Sequence, residues 1–109
     1  MPHIRMRGLK IEQVQTLSLE LAAPLAEAME TDIDNFTFES VQTLFFSQGQ
    51  ENPGYPFVEV LWFARSQEVQ DTCAKIITGK IQSLQAYEYV TVVFQVLNKN
   101  SYYENGKHF

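Results

Sequence analysis

Cysteine is nearly missing from this sequence: Cys73 is the only one in 109 residues. An internal disulfide and a cysteine-built metal cluster are therefore both excluded. Cations are scarce, with 8 Lys and Arg against 13 Asp and Glu and a formal net charge of −5. A surface of that sign repels a phosphate backbone, so no nucleic acid is expected as a partner. No stretch approaches the roughly eighteen apolar residues that cross a bilayer, and the start carries no apolar run of signal-peptide length. The expectation is a cytoplasmic chain with no membrane contact. Gly-rich phosphate loops, nucleophile elbows and zinc signatures are all lacking, and neither His3 nor His108 has other ligand types at metal spacing. No cofactor and no metal are expected.

What is there describes a folded domain. Hydrophobic residues make up 45% and aromatics 13%, enough for a globular core and too many for a disordered chain. A chain this short fits a single domain over 1–109, with a modest core that would gain from a partner subunit.

The first strand alternates, with Pro2, Ile4 and Met6 on one face and His3, Arg5 and Arg7 on the other, and Gly8 ends it. From about Lys10 to Glu30, apolar residues recur at helical spacing (Ile11, Val14, Leu17, Leu21, Leu25, Ala28, Met29), with Pro24 inside predicting a kink. Phe36 to Ser47 reads as a second strand, and Gln48–Gly54 as a loop whose strongest turn signal is Asn52-Pro53-Gly54. Pro56 to Arg65 is the most apolar strand and belongs in the sheet interior. Ser66 caps a second helix with Val69, Cys73, Ile76, Ile77, Ile81 and Leu84 as its buried stripe, and Tyr87 to Leu97 is a fourth strand. In the tail, Asn98–Phe109, the pair Asn105-Gly106 predicts a type I′ hairpin, a short arm ordered by docking.

The order strand, helix, strand therefore occurs twice, in halves of about 1–48 and 55–97 followed by the tail 98–109. A shift of 55 positions lays Val14 on Val69, Ser18 on Cys73 and Met29 on Leu84, and brings Pro2 within one place of Pro56. Two right-handed β-α-β units sharing one sheet predict an α+β fold: a four-stranded mixed sheet, both helices on one face, first and third strands central. The other face lacks a cover, which predicts oligomerisation. Arg5 and Arg7 are expected to pair there with Glu39 or Glu59, and Cys73 to lie in the core.

One position carries a distinctive chemical idea. If Met1 is removed, Pro2 becomes a secondary amine at a chain terminus, and an α-amino group titrates at about 7.7–8.0, close enough to neutrality to act as a base. An acylated Pro2 is a tertiary amide with no basic nitrogen.

The start at Met-Pro, the two β-α-β units and the aromatics around Asn-Gly in the tail resemble the superfamily of 4-oxalocrotonate tautomerase and macrophage migration inhibitory factor. More narrowly, Met1-Pro2-His3-Ile4-Arg5-Met6-Arg7-Gly8 is similar to an uncharacterised bacterial family within it. The resemblance implies a homotrimer with sheets around a central channel and a pocket at each subunit interface. It implies a small keto or enol acid as ligand, with the terminal proline Pro2 as general base. Arg65 would bind the substrate carboxylate, as an arginine at the corresponding strand end does in several superfamily enzymes. Lys10, Tyr102, Tyr103 and Glu104 resemble, more loosely, residues that complete such sites. The sequence departs from the pattern in its acidic turn Glu30-Thr31-Asp32-Ile33-Asp34, where cytokine-like members carry a pocket lysine, and in having no arginine on the first helix. An anionic substrate would meet fewer cations.

Two alternatives compete with a tautomerase or isomerase: a non-catalytic oligomer with an interface ligand pocket, and a ferredoxin-like dimer with a ligand-binding sheet face. Dimer or trimer symmetry separates the last from the others. An RNA-recognition module shares the strand-helix order but requires a basic, aromatic sheet motif that is absent.

Overall fold

The computed structural model describes residues 2–109, so the expected removal of Met1 falls outside the described residues. Strand β1 (His3–Arg7) leads into helix α1 (Ile11–Met29), and strand β2 (Thr37–Val41) follows a short 3-10 turn. A small hairpin, β3 (Phe45–Ser47) and β4 (Gln50–Asn52), precedes strand β5 (Phe57–Trp62), helix α2 (Gln67–Leu84) and strand β6 (Thr91–Val96). The tail ends in a second hairpin, β7 (Tyr103–Glu104) and β8 (Lys107–His108).

The main sheet has the order β2-β1-β5-β6, parallel within each half and antiparallel between β1 and β5. The α+β fold read from the alternation is the observed one, with β1 and β5 central. Ile4 and Met6 on β1 and Val58, Val60 and Trp62 on β5 are fully buried against the helices. Leu17, Leu21 and Leu25 of α1 close the core with Cys73, Ile77 and Ile81 of α2; burying each such leucine or isoleucine contributes roughly 1.5–3 kcal/mol. The helical stripes match at a shift of 56 positions, while Pro2 and Thr37 match Pro56 and Thr91 at 54. The shift of 55 is an average between them, because β5 and the connection after it are each one residue longer than β1 and its connection.

Several boundaries differ from the sequence reading, each for a local reason. The predicted strand Phe36–Ser47 is broken between Val41 and Phe45, and the predicted loop at 48–54 contains β4. Gln48 and Gly49 both adopt positive φ (52° and 79°), the geometry of a tight hairpin turn that a glutamine does not advertise. Asn52 does make a turn, its Oδ1 accepting from the Gly54 N–H at 2.8 Å. The predicted strand to Arg65 stops at Trp62, and the chain turns there toward the Ser66 cap, whose Oγ accepts from the Val69 N–H at 3.2 Å. The last main strand begins at Thr91, not Tyr87, because the Tyr87 hydroxyl is held by Gln13 at 3.1 Å, outside the ladder. In the tail, Asn105 and Gly106 take φ of 54° and 84°, the predicted type I′ turn. Helix α1 runs without interruption through Pro24.

Candidate functional site

The register fixes what lies at each end of the sheet. His3 pairs with Leu61, so one step further Pro2 stands beside Trp62, and both side chains are fully buried on the helix side. The Pro2 carbonyl accepts the Thr37 N–H at 3.2 Å, which ties the head of β1 to the start of β2.

Arg65 lies three residues beyond β5, in the connection to α2. Its guanidinium stands 5.3 Å from the Trp62 ring centroid, and Nη1 donates to the Phe63 carbonyl at 2.9 Å. Those contacts hold the side chain without using a carboxylate, and among the described residues no carboxylate pairs with it. Trp62 packs on Phe94 with the rings tilted and their centroids 4.7 Å apart, and its Nε1 is buried with no hydrogen-bond partner.

A cavity of about 660 Å³ opens here, lined by Met29, Glu30, Phe63, Ala64, Arg65, Leu97 and Lys99. Lys99 was missed by sequence reasoning: it sits in the 3-10 turn of the tail, and only packing of that turn brings its Nζ to 5.5 Å from the Phe63 ring. Two cations thus face one carboxylate, Glu30, in this cavity.

On the open face of the sheet at the same end, a second cavity of about 470 Å³ is lined by His3, Arg5, Glu39, Leu61, Leu97 and Tyr102. His3 Nε2 lies 2.6 Å from Glu39 Oε2, and Arg5 Nε lies 3.3 Å from Oε1. The hydrogen bond with His3 is the largest influence on the Glu39 carboxyl and lowers it; desolvation, the next largest, opposes, and the Arg5 charge then helps to hold the group below the usual carboxylate range. Further along, Arg7 Nη2 approaches Glu59 Oε1 at 2.9 Å, a charge contact without hydrogen-bond alignment. The paired arginines and glutamates are those the alternation predicts.

Tyr102 reaches this end because the tail folds back on its own sheet. It packs edge-on to Phe63 at 5.2 Å and to Phe109 at 4.9 Å, and the Phe109 N–H donates to its carbonyl at 3.1 Å. Tyr103 and Glu104, on β7, are exposed and touch neither cavity. Lys10 is not brought to this end: it follows β1 at the opposite edge, roughly 17 Å or more away along five residues of strand. Pro2, Arg65 and Tyr102 therefore share one end of the sheet, Lys10 occupies the other, and Pro2 lines neither of the two cavities beside it.

Burial raises the Cys73 thiol above its usual range, opposed by the Arg65 charge, so it is a core group and no nucleophile. Among the described residues no cluster of His, Cys, Asp and Glu could hold a metal ion, and no helix is long and apolar enough to cross a membrane.

The family model described as Domain of unknown function (DUF1904) matches residues 1–108. A crystal structure of a DUF1904 domain from Sebaldella termitidis ATCC 33386 is 44% identical, with a TM-score of 0.95 over 100% of both chains. A fused 4-OT, solved as an asymmetric trimer, is 12% identical, with a TM-score of 0.84 over 97% of this chain and 94% of that one. A macrophage migration inhibitory factor-like protein from Entamoeba histolytica is 13% identical, with a TM-score of 0.78 over 99% and 98%. The latter two are alike in fold. No curated protein matches.

Proposed function

This chain belongs to the DUF1904 family, and from that premise we propose that it is a keto-enol tautomerase or isomerase acting on a small unsaturated or α-keto acid. Pro2 is its general base once Met1 is removed, and Arg65 is its carboxylate-binding cation. A free proline amine begins near the ~7.7–8.0 of an α-amino group. Burial and nearby cations both disfavour its protonated form and bring it toward neutrality. The amine takes a proton from the carbon beside the carbonyl, and the enolate oxygen that develops requires a donor or a positive charge. Arg65 supplies a planar fork for the carboxylate, and Lys99 adds a second charge to the same cavity.

The observation that carries this reading is the coincidence, at one sheet end, of a fully buried Pro2 with an arginine that none of the salt bridges among the described residues engages. The proposed unit is one domain over 1–109 in a cytoplasmic homotrimer, its pocket completed across a subunit interface. Support comes from the uncovered sheet face, from Tyr103 standing 63% exposed on a protruding hairpin, and from a fold neighbour that is itself a trimer. Tyr103 and Glu104 would then act on a neighbouring copy, while Tyr102 acts within its own.

A second reading, a non-catalytic oligomer with an interface ligand pocket, is favoured by one fact: Pro2 lines neither adjacent cavity. Ketonisation of phenylenolpyruvate separates the two. With Met1 loss verified by intact mass, the wild type accelerates the reaction and Pro2→Ala is slower by about 10² or more; equal rates favour the binding protein.

A further inference from the structure

The opposite end of the sheet carries a third cavity, of about 450 Å³, and its chemistry comes from Lys10, Gln13, Gln42, Phe45, Gln85 and Tyr87. It is the counterpart of the Arg65 cavity in the other half of the chain. Lys10 stands three residues after β1 as Arg65 stands three residues after β5. Each cation faces the C-cap residue of the other half's helix, Glu30 beside Arg65 and Gln85 beside Lys10. A proline adjoins each as well. Gly8, in the wall of the Lys10 cavity, packs so closely on the Tyr55–Pro56 peptide that a Cβ at Gly8 would overlap the Tyr55 carbonyl.

Two differences set its function apart. Pro56 is bonded into the chain on both sides, so this end has no proline amine to match the one proposed at Pro2. The carboxylate is gone too: Lys10 is the only formally charged residue in the wall, and none of the described salt bridges uses it. The side-chain oxygens of Gln13 and Gln85 beside it are both occupied as acceptors. Gln13 Oε1 takes the Lys10 N–H at 2.9 Å and the Tyr87 hydroxyl at 3.1 Å, and Gln85 Oε1 takes Gln13 Nε2 at 3.5 Å. What these residues leave over is donors, the Lys10 ammonium and the Gln85 amide N–H groups. Beside them lie the rings of Phe45 and Tyr87.

We infer that the Lys10 cavity is a second binding site, for a small carboxylate with an apolar or aromatic body, which holds its ligand without proton transfer. In a protein of net charge −5, a wall with one cation and no anion is where such a ligand meets attraction and no repulsion. The inference does not depend on Pro2 chemistry, since Pro56 lacks a free amine whether or not Pro2 acts as a base.

Benzoate titrated into the full-length, 15N-labelled chain tests it. Amide shifts are expected at Gly8, Gln13, Gln85 and Tyr87. Lys10→Gln, a change at an exposed side chain, weakens that binding about tenfold or more, and benzamide, of the same shape but uncharged, binds more weakly by a similar factor. Arg65→Gln and Pro2→Ala leave those shifts in place, which keeps this result separate from the tautomerase test. Shifts confined to the Arg65 end, no shifts at millimolar benzoate, or equal titration of Lys10→Gln and wild type would each overturn the inference.

Discussion

Pro2 and Pro56 occupy the same place in the two halves of the molecule. Each is fully buried at the head of a central strand, and each gives its carbonyl to the threonine that starts the neighbouring parallel strand, at 3.2 Å from Thr37 and 3.0 Å from Thr91. Their structural roles match, yet only Pro2 can ever present a free amine. Replacing each by alanine therefore separates chemistry from folding. Both variants lose stability by about 1–2 kcal/mol through lost burial and a freer unfolded chain, read by urea unfolding. Only Pro2→Ala loses ketonisation activity.

Gly8 and Gly106 both have positive φ, 79° and 84°, but differ in their surroundings. Gly106 sits in an open turn with nothing near its missing Cβ, so Gly106→Ala costs about 1 kcal/mol of left-handed strain. At Gly8 a methyl would also meet the Tyr55 backbone. Gly8→Ala is expected to cost several times more, to disturb the β1–β5 junction, and to show the larger fall in Tm by calorimetry.

The Glu39 carboxyl is held below its ordinary range by His3 and then Arg5. A depressed folded-state pKa contributes stability that is present above the unfolded carboxylate value of ~4.3 and lost as pH falls through the lower folded value. Wild type is thus more stable than Glu39→Gln at pH 7. The margin shrinks as the solution is acidified below about pH 4. Thermal melts of both proteins across that range check it.

Arg65 is held by the Trp62 ring and the Phe63 carbonyl, so its guanidinium is positioned before any substrate arrives. Arg65→Gln is expected to lower kcat/KM about 10- to 100-fold, mainly through KM, as loss of a bidentate carboxylate contact does. Arg65→Lys restores part of it, because charge remains and the fork is lost. Steady-state kinetics with an aryl enolpyruvate measures both.

Much of the fold was legible because its signals are periodic. The alternation of Pro2, Ile4 and Met6 and the stripe Leu17, Leu21, Leu25 each match a buried face, and Asn105-Gly106 names its own turn. The β3–β4 hairpin was not legible, since Gln48 takes a left-handed conformation that its side chain does not favour. The sequence offered single candidates for a site but not their grouping. Register brings Pro2 and Arg65 to one end, packing of the tail turn delivers Lys99, and strand direction carries Lys10 away. Spacing in the sequence encodes none of these three.

The most direct test compares two preparations that differ by one residue: the chain with Met1 retained, and the same chain after aminopeptidase removal of Met1, each verified by intact mass. Residues 2–109 are common to both; Met1 is lost and the Pro2 nitrogen changes from amide to amine. The account predicts phenylenolpyruvate ketonisation by the trimmed protein and none above background by the untrimmed one. Equal rates in the two preparations would contradict it.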